Sequence, residues 1–190
     1  MPTTIERVSW TQTFSGRAVD LPDPHPDQID LVDIAVSLSR QPRYNGHTRE
    51  VYSVAQHSVL ASLICPYPLA ALLHDASEAY LGDIITPVKR LLGAKRIRDL
   101  EGRVMRGIWR GLGLGPCQLD DPEVARAVKL ADLTMYALEK EQLLEEAPRP
   151  WGLDLPEQLP DVTIVSWSET EARDAFLERY RELTVGQSST

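Results

Sequence analysis

A chain of 190 residues, 43% of them hydrophobic, with a formal net charge of −8, can build one compact domain and lacks the basic balance of a general nucleic-acid binder. Its two cysteines, Cys65 and Cys117, show no CxxC spacing, which argues against a thiolate zinc site or a disulfide framework. No apolar run nears the roughly 18 residues of a membrane span and the N-terminus has no basic-then-apolar leader pattern, so a cytoplasmic protein free of the membrane is expected.

In chain order, Val8, Trp10, Phe14, Val19 and Leu21 surround Ser15-Gly16, a pattern that predicts a small hairpin. The run Asp23-Pro24-His25-Pro26-Asp27 breaks structure, and Asp30 is placed to cap a helix from Leu31 to about Ser39. Residues 40–49 carry Arg40, Arg43 and Arg49 in a polar, turn-rich stretch that reads equally well as a functional or an ordinary surface loop. Ser53-Val54-Ala55-Gln56 fits a capping box opening a helix to about Cys65, with His57 in its first turns.

Pro68 suits the first turn of the next helix, which is apolar until it reaches His74-Asp75 and, one turn later, Glu78. Periodicity places His74, Asp75 and Glu78 on neighbouring positions of one face of a largely buried helix ending at Gly82. Ionisable groups there are costly unless paired or bound to a cation. A helical region follows Thr86-Pro87-Val88-Lys89, interrupted in propensity by Gly107 and Gly111. Asp121-Pro122-Glu123 starts another helix reaching about Ala147, with Lys129 and Asp132 three residues apart; Asp132 is placed either to join a metal or to pair with Lys129. Residues 148–160 form a proline-rich loop, Val162–Val165 one short strand, and Ser168-x-x-Glu171 opens a last amphipathic helix before a polar tail. There is no internal repeat or linker, so residues 1–190 read as one mainly helical domain.

Two imidazoles and two carboxylates, His57, His74, Asp75 and Asp132, suit a borderline divalent cation such as zinc, cobalt, manganese or iron. The order His, His-Asp, Asp, with Glu78 one turn after the dyad, resembles the HD-domain phosphohydrolases. The likeness is greatest to the small 5'-deoxynucleotidases of the YfbR and YfdR type and to the related phage dATP triphosphohydrolases of the DatZ type. It runs through Thr13–Gly16, Asp33–Ser39, Gly46-His47, Tyr52–His57, His74–Ala76, Glu78–Tyr80, Pro87, Lys89–Leu92 and Ala131–Leu133, nearly the whole chain.

The resemblance implies an all-α HD-domain fold, here with a small N-terminal hairpin and a short C-terminal strand. It implies a divalent metal (Zn, Co, Mn, Fe or Mg) on His57, His74, Asp75 and Asp132, and Glu78 and Asp83 acting around the attacking water and the leaving group. It also implies substrate contacts from Arg43, Tyr44, Pro87, Lys89 and Lys129, with Tyr44 standing where the family has tryptophan. Apart from the resemblance, the lysines read as an ordinary solvated face. The expected activity is release of phosphate from deoxynucleoside 5'-monophosphates. The alternatives are release of tripolyphosphate from a deoxynucleoside triphosphate, or nucleotide binding without chemistry. The expected partners are a deoxynucleotide and further copies of the chain, with no nucleic-acid polymer and no membrane.

Overall fold

A computed structural model describes residues 9–185; Val8 and the polar tail from Gly186 lie outside the described residues. Strands β1 (Trp10–Gln12) and β2 (Ala18–Asp20) pair antiparallel, with Thr11 opposite Val19. Gly16, at φ 87°, makes the left-handed turn between them. The hairpin is tied to the helices because the Ser15 N–H and hydroxyl both donate, at 2.7 Å, to the buried Asp33 carboxylate.

Asp33 belongs to α1 (Leu31–Arg40), whose N-cap Asp30 accepts from the Val32 N–H. Then come α2 (Val54–Ile64), α3 (Pro68–Leu73), α4 (Glu78–Leu81), α5 (Thr86–Leu92), α6 (Ala94–Gly111), α7 (Pro122–Leu143) and α8 (Glu169–Val185). Helices α1, α2, α3 and α8 pack around a core of Ile34, Leu38, Leu72, Leu73 and Phe176, which α6 joins through Ile108 and Trp109. A second cluster, Tyr52, Ala61, Met135 and Leu138, joins α2 to α7. Helix α2 is thus held by both clusters and α7 by the second.

The mainly helical architecture and the hairpin agree with the sequence reading, but four local expectations do not. Residues 74–77 are a run of turns between α3 and α4 rather than one continuous helix, tightened by bonds from Ala76 N–H to Leu73 and from Glu78 N–H to Asp75. The Ala71 carbonyl accepts from the ring of His74 at 2.7 Å, a side-chain competitor for the helix ladder. At the start of α2, Ser53 accepts from the Gln56 N–H as a cap should, whereas the Gln56 side chain, expected to complete the box, leaves for the 165–167 backbone. Helix α7 ends at Leu143, short of Ala147.

The expected strand at Val162–Val165 does not form. The Gln142 amide donates to Val162 O and accepts from Ile164 N–H, both at 2.8 Å, and the Gln56 amide brackets Val165 and Trp167 in the same way. Two glutamines from α7 and α2 supply the hydrogen bonds that a neighbouring strand would give an extended segment.

Candidate metal centre

Four elements bring the site together. His57 comes from the first turns of α2, His74 and Asp75 from the tight turn after α3, Asp132 from the middle of α7, and Arg43 from the loop after α1. One donor atom each from His57, His74 and Asp132 lies within 4.8 Å of the others. The two Nε2 atoms are 3.4 Å apart, and Asp132 Oδ1 stands 3.4 Å from that of His57 and 4.0 Å from that of His74. Asp75 Oδ2 approaches from the side, 3.2 Å from His74 Nε2 and 3.8 Å from His57 Nε2. Ligands held about 2.0–2.2 Å from one cation sit about 3–4 Å from each other, the spacing found here.

Hydrogen bonding at the far side of each ring decides what faces inward. His57 Nδ1 lies 2.5 Å from Glu139 Oε1 and His74 Nδ1 lies 2.7 Å from the Ala71 carbonyl. Both partners only accept, so each Nδ1 carries a hydrogen and the two Nε2 atoms are left facing each other as the positions open to a metal. Two imidazole nitrogens and two carboxylates meeting in a largely buried space are costly unless a cation lies between them. The residues present fit a divalent metal.

The electrostatics without metal tell the same story. Burial and the Arg43 guanidinium push the His57 imidazole down, but Glu139 and Asp132 more than offset them and hold it at about 9. Burial raises Glu139, while Arg43 and His57 outweigh it and hold the carboxyl at about 2. Burial opposes ionisation of Asp75 and Asp132, but the two histidines hold both below the ordinary carboxylate range.

Glu139 is the residue the sequence reading missed. It is fully buried, accepts from Arg43 Nε at 3.2 Å and from the Tyr44 hydroxyl at 2.6 Å, and fixes the tautomer of His57. Its signal was present: it lies seven residues after Asp132, two turns along the same face of α7. Gln41 also went unseen, and no pattern marks it. Its amide donates to Ser37 Oγ and Glu78 O and accepts from the Asp83 N–H, pinning both ends of α4.

A cleft of about 220 Å³ opens beside the ligands, lined by His74, Asp75, Glu78, Lys89, Glu101 and Asp120 among others. Glu78 is 7% exposed with Oε2 unpartnered, and burial together with Asp75 and Asp83 pushes its carboxyl up to about 10. Burial also raises Asp83, which Arg43 partly offsets. Arg43 reaches Asp75 Oδ2 at 3.6 Å as well as Glu139, and Tyr44 stacks near Tyr136 and Trp151.

The two lysines are engaged. Lys89 Nζ is 2.8 Å from Glu101, and Lys129, largely exposed, bonds Asp132 Oδ2 at 2.8 Å. Asp132 pairs with Lys129 as one expectation had it, and turns its other oxygen toward the histidines. Pro87 is exposed in the first turn of α5 and is not among the residues lining the cleft.

No protein-family model matches the chain. The chain is 38% identical to the uncharacterized protein RCAP_rcc00048 of Rhodobacter capsulatus, over 92% of this chain and 95% of the relative. It is 36% identical to the uncharacterized protein YfdR of Escherichia coli, over 93% of this chain and 97% of that one.

Proposed function

We propose, for a chain that belongs to the family of Escherichia coli YfdR, a divalent-metal-dependent phosphohydrolase that releases phosphate from deoxynucleoside 5'-monophosphates. The observation that carries this reading is the pair of imidazole Nε2 atoms, 3.4 Å apart, facing Asp132 and Asp75 at the edge of a cleft. His57, His74, Asp75 and Asp132 would hold the cation, which when bound acidifies water and neutralises a phosphoryl oxygen.

The chain's own residues supply the rest. Glu78 is protonated at neutral pH in the metal-free protein and lines the same cleft as His74 and Asp75, so it is placed to pass a proton to or from the reacting oxygens. Asp83, held by Gln41 through its backbone, adds a second carboxylate near Glu78. Arg43 keeps a guanidinium against Asp75, where it offsets phosphate charge that an acidic protein would otherwise repel. Burial of Glu139 beneath His57 and Arg43 keeps both fixed while substrate exchanges.

A single phosphate is favoured over a triphosphate because Lys89 and Lys129, the cations that would meet a longer polyphosphate, are already paired with Glu101 and Asp132. The test incubates metal-loaded protein with matched deoxy- and ribonucleoside mono- and triphosphates and resolves the products. Inorganic phosphate and deoxynucleoside from the monophosphates are expected. Tripolyphosphate from a triphosphate, with monophosphates untouched, would replace this reading by the triphosphohydrolase one.

A further inference from the structure

Charge in this acidic chain is strongly segregated. Residues 86–111, which make α5 and α6, hold eight basic side chains against two acidic ones. Residues 141–161, from the end of α7 through the proline-rich loop, hold six acidic side chains against the one basic residue Arg149.

The uncompensated part of the basic segment gathers at the α5–α6 corner. Lys89, Lys95, Arg106 and Arg110 pair with Glu101, Asp99, Asp120 and Asp23, whereas Arg90, Arg96 and Arg98 at the corner, and Arg103 further along α6, are exposed and form no ion pair among the described residues. Between them stand Leu91 and Leu92, 86% and 64% exposed, with Val88 one turn earlier. No residue of α5 is fully buried, and Lys89 is partly buried against Glu101. A seven-residue helix with an exposed apolar edge has little to hold it by itself.

The acidic segment has the complementary composition. Glu141, Glu146, Asp154, Glu157 and Asp161 are exposed and without ion pairs among the described residues, and they surround the exposed Trp151 and Leu153. Each surface therefore has an apolar centre and a charged rim, the anatomy of a protein interface, and the two rims have opposite sign. An anionic membrane or polynucleotide would meet the basic corner but leave the acidic segment and its apolar centre unmatched. A second copy of this chain carries the matching acidic rim by construction.

We infer that the α5–α6 corner of one copy, centred on Val88, Leu91 and Leu92 and rimmed by Arg90, Arg96 and Arg98, docks on the 141–161 segment of another copy. Both surfaces adjoin the metal centre. Lys89 of α5 lines the cleft, and Trp151 of the loop packs at 5.3 Å against Tyr136, one turn beyond Asp132. Self-association therefore brackets the cleft on the basic side and braces its aromatic wall on the acidic side. The contact stands independently of the hydrolase reading, because it is measured without substrate.

The experiment is sedimentation velocity of the full chain over a range of protein and salt concentrations. The wild type is expected to self-associate, more weakly as salt screens the rims. Arg96→Glu with Arg98→Glu, and separately Asp154→Arg with Glu157→Arg, should each weaken association by about tenfold or more while circular dichroism stays unchanged. Placing all four substitutions in one chain should restore it, an outcome that misfolding or a general charge effect would not give. A wild type that stays monomeric at high concentration would overturn the inference, as would association indifferent to either charge reversal. So would binding of the monomer through this corner to phosphatidylglycerol vesicles or to a single-stranded oligonucleotide.

Discussion

At His57 the two ring nitrogens do different work: Nδ1 is spent on Glu139, which leaves Nε2 open to a cation. Glu139→Gln keeps an acceptor for Nδ1 but removes the charge that faces Arg43. The variant is expected to fold and to bind metal about 10–100-fold more weakly, as read by chelator competition. Glu139→Ala should instead cost about 3–5 kcal/mol of stability, because it strands a buried arginine. Equal metal affinity in wild type and Glu139→Gln would show that Glu139 does not tune His57.

Glu78 gives a prediction with a definite sign. Its carboxyl sits near 10 in the folded, metal-free protein against an ordinary value of 4.5, so between those values the folded state holds a proton that the unfolded chain releases. Stability must then fall as pH rises through that window. Glu78→Gln removes this dependence, so its melting-temperature advantage should be small near about pH 5 and larger near about pH 9. Each kcal/mol relieved is worth about 2–4 °C in a chain of this size. An advantage that shrinks with rising pH would contradict the buried, protonated assignment.

At the scale of elements, the glycines of α6 explain how the segment between β2 and α1 lies on that helix. A Cβ at Gly111 would meet Ile29 Cβ at 2.5 Å, and one at Gly107 would meet Pro24 at 3.0 Å. Gly111→Ala is therefore expected to cost about 1–3 kcal/mol through overpacking. Gly102, where the nearest atom is the flexible end of Arg106 at 3.7 Å, should gain about 0.5–1 kcal/mol on the same change. Urea denaturation of the two variants should move in opposite directions; a shared direction would mean that helix propensity, not close approach, governs α6.

The elements were legible where local chemistry agreed with tertiary packing: Asp30, Ser53 and Asp121 cap the helices their positions predict. They were illegible where a side chain left its local role. Gln56 and Gln142 abandon helix surfaces to serve the backbone of 162–167, so a period-two apolar stretch lost its strand partner to two amides more than a dozen residues away. The histidines and aspartates of the centre were readable from spacing and resemblance. Glu139 was marked only by its seven-residue spacing from Asp132 on α7, and nothing local shows that a lone glutamate there is fully buried.

At the scale of the whole molecule, the cluster of Tyr52, Ala61, Met135 and Leu138 joins α2 directly to α7, and the main core holds α2 from its other side, so His57 and Asp132 are set by core packing rather than by the loop that carries Arg43. The most direct measurement is to strip the protein with a chelator and titrate it with Co²⁺ while following bound metal and phosphate release from a deoxynucleoside 5'-monophosphate. Wild type is expected to bind the metal tightly and turn over, and His74→Ala to do neither. Glu78→Ala should keep the metal and lose about 10²–10⁴-fold in rate. Undiminished turnover by the stripped protein, or by His74→Ala, would contradict the metal-centred account.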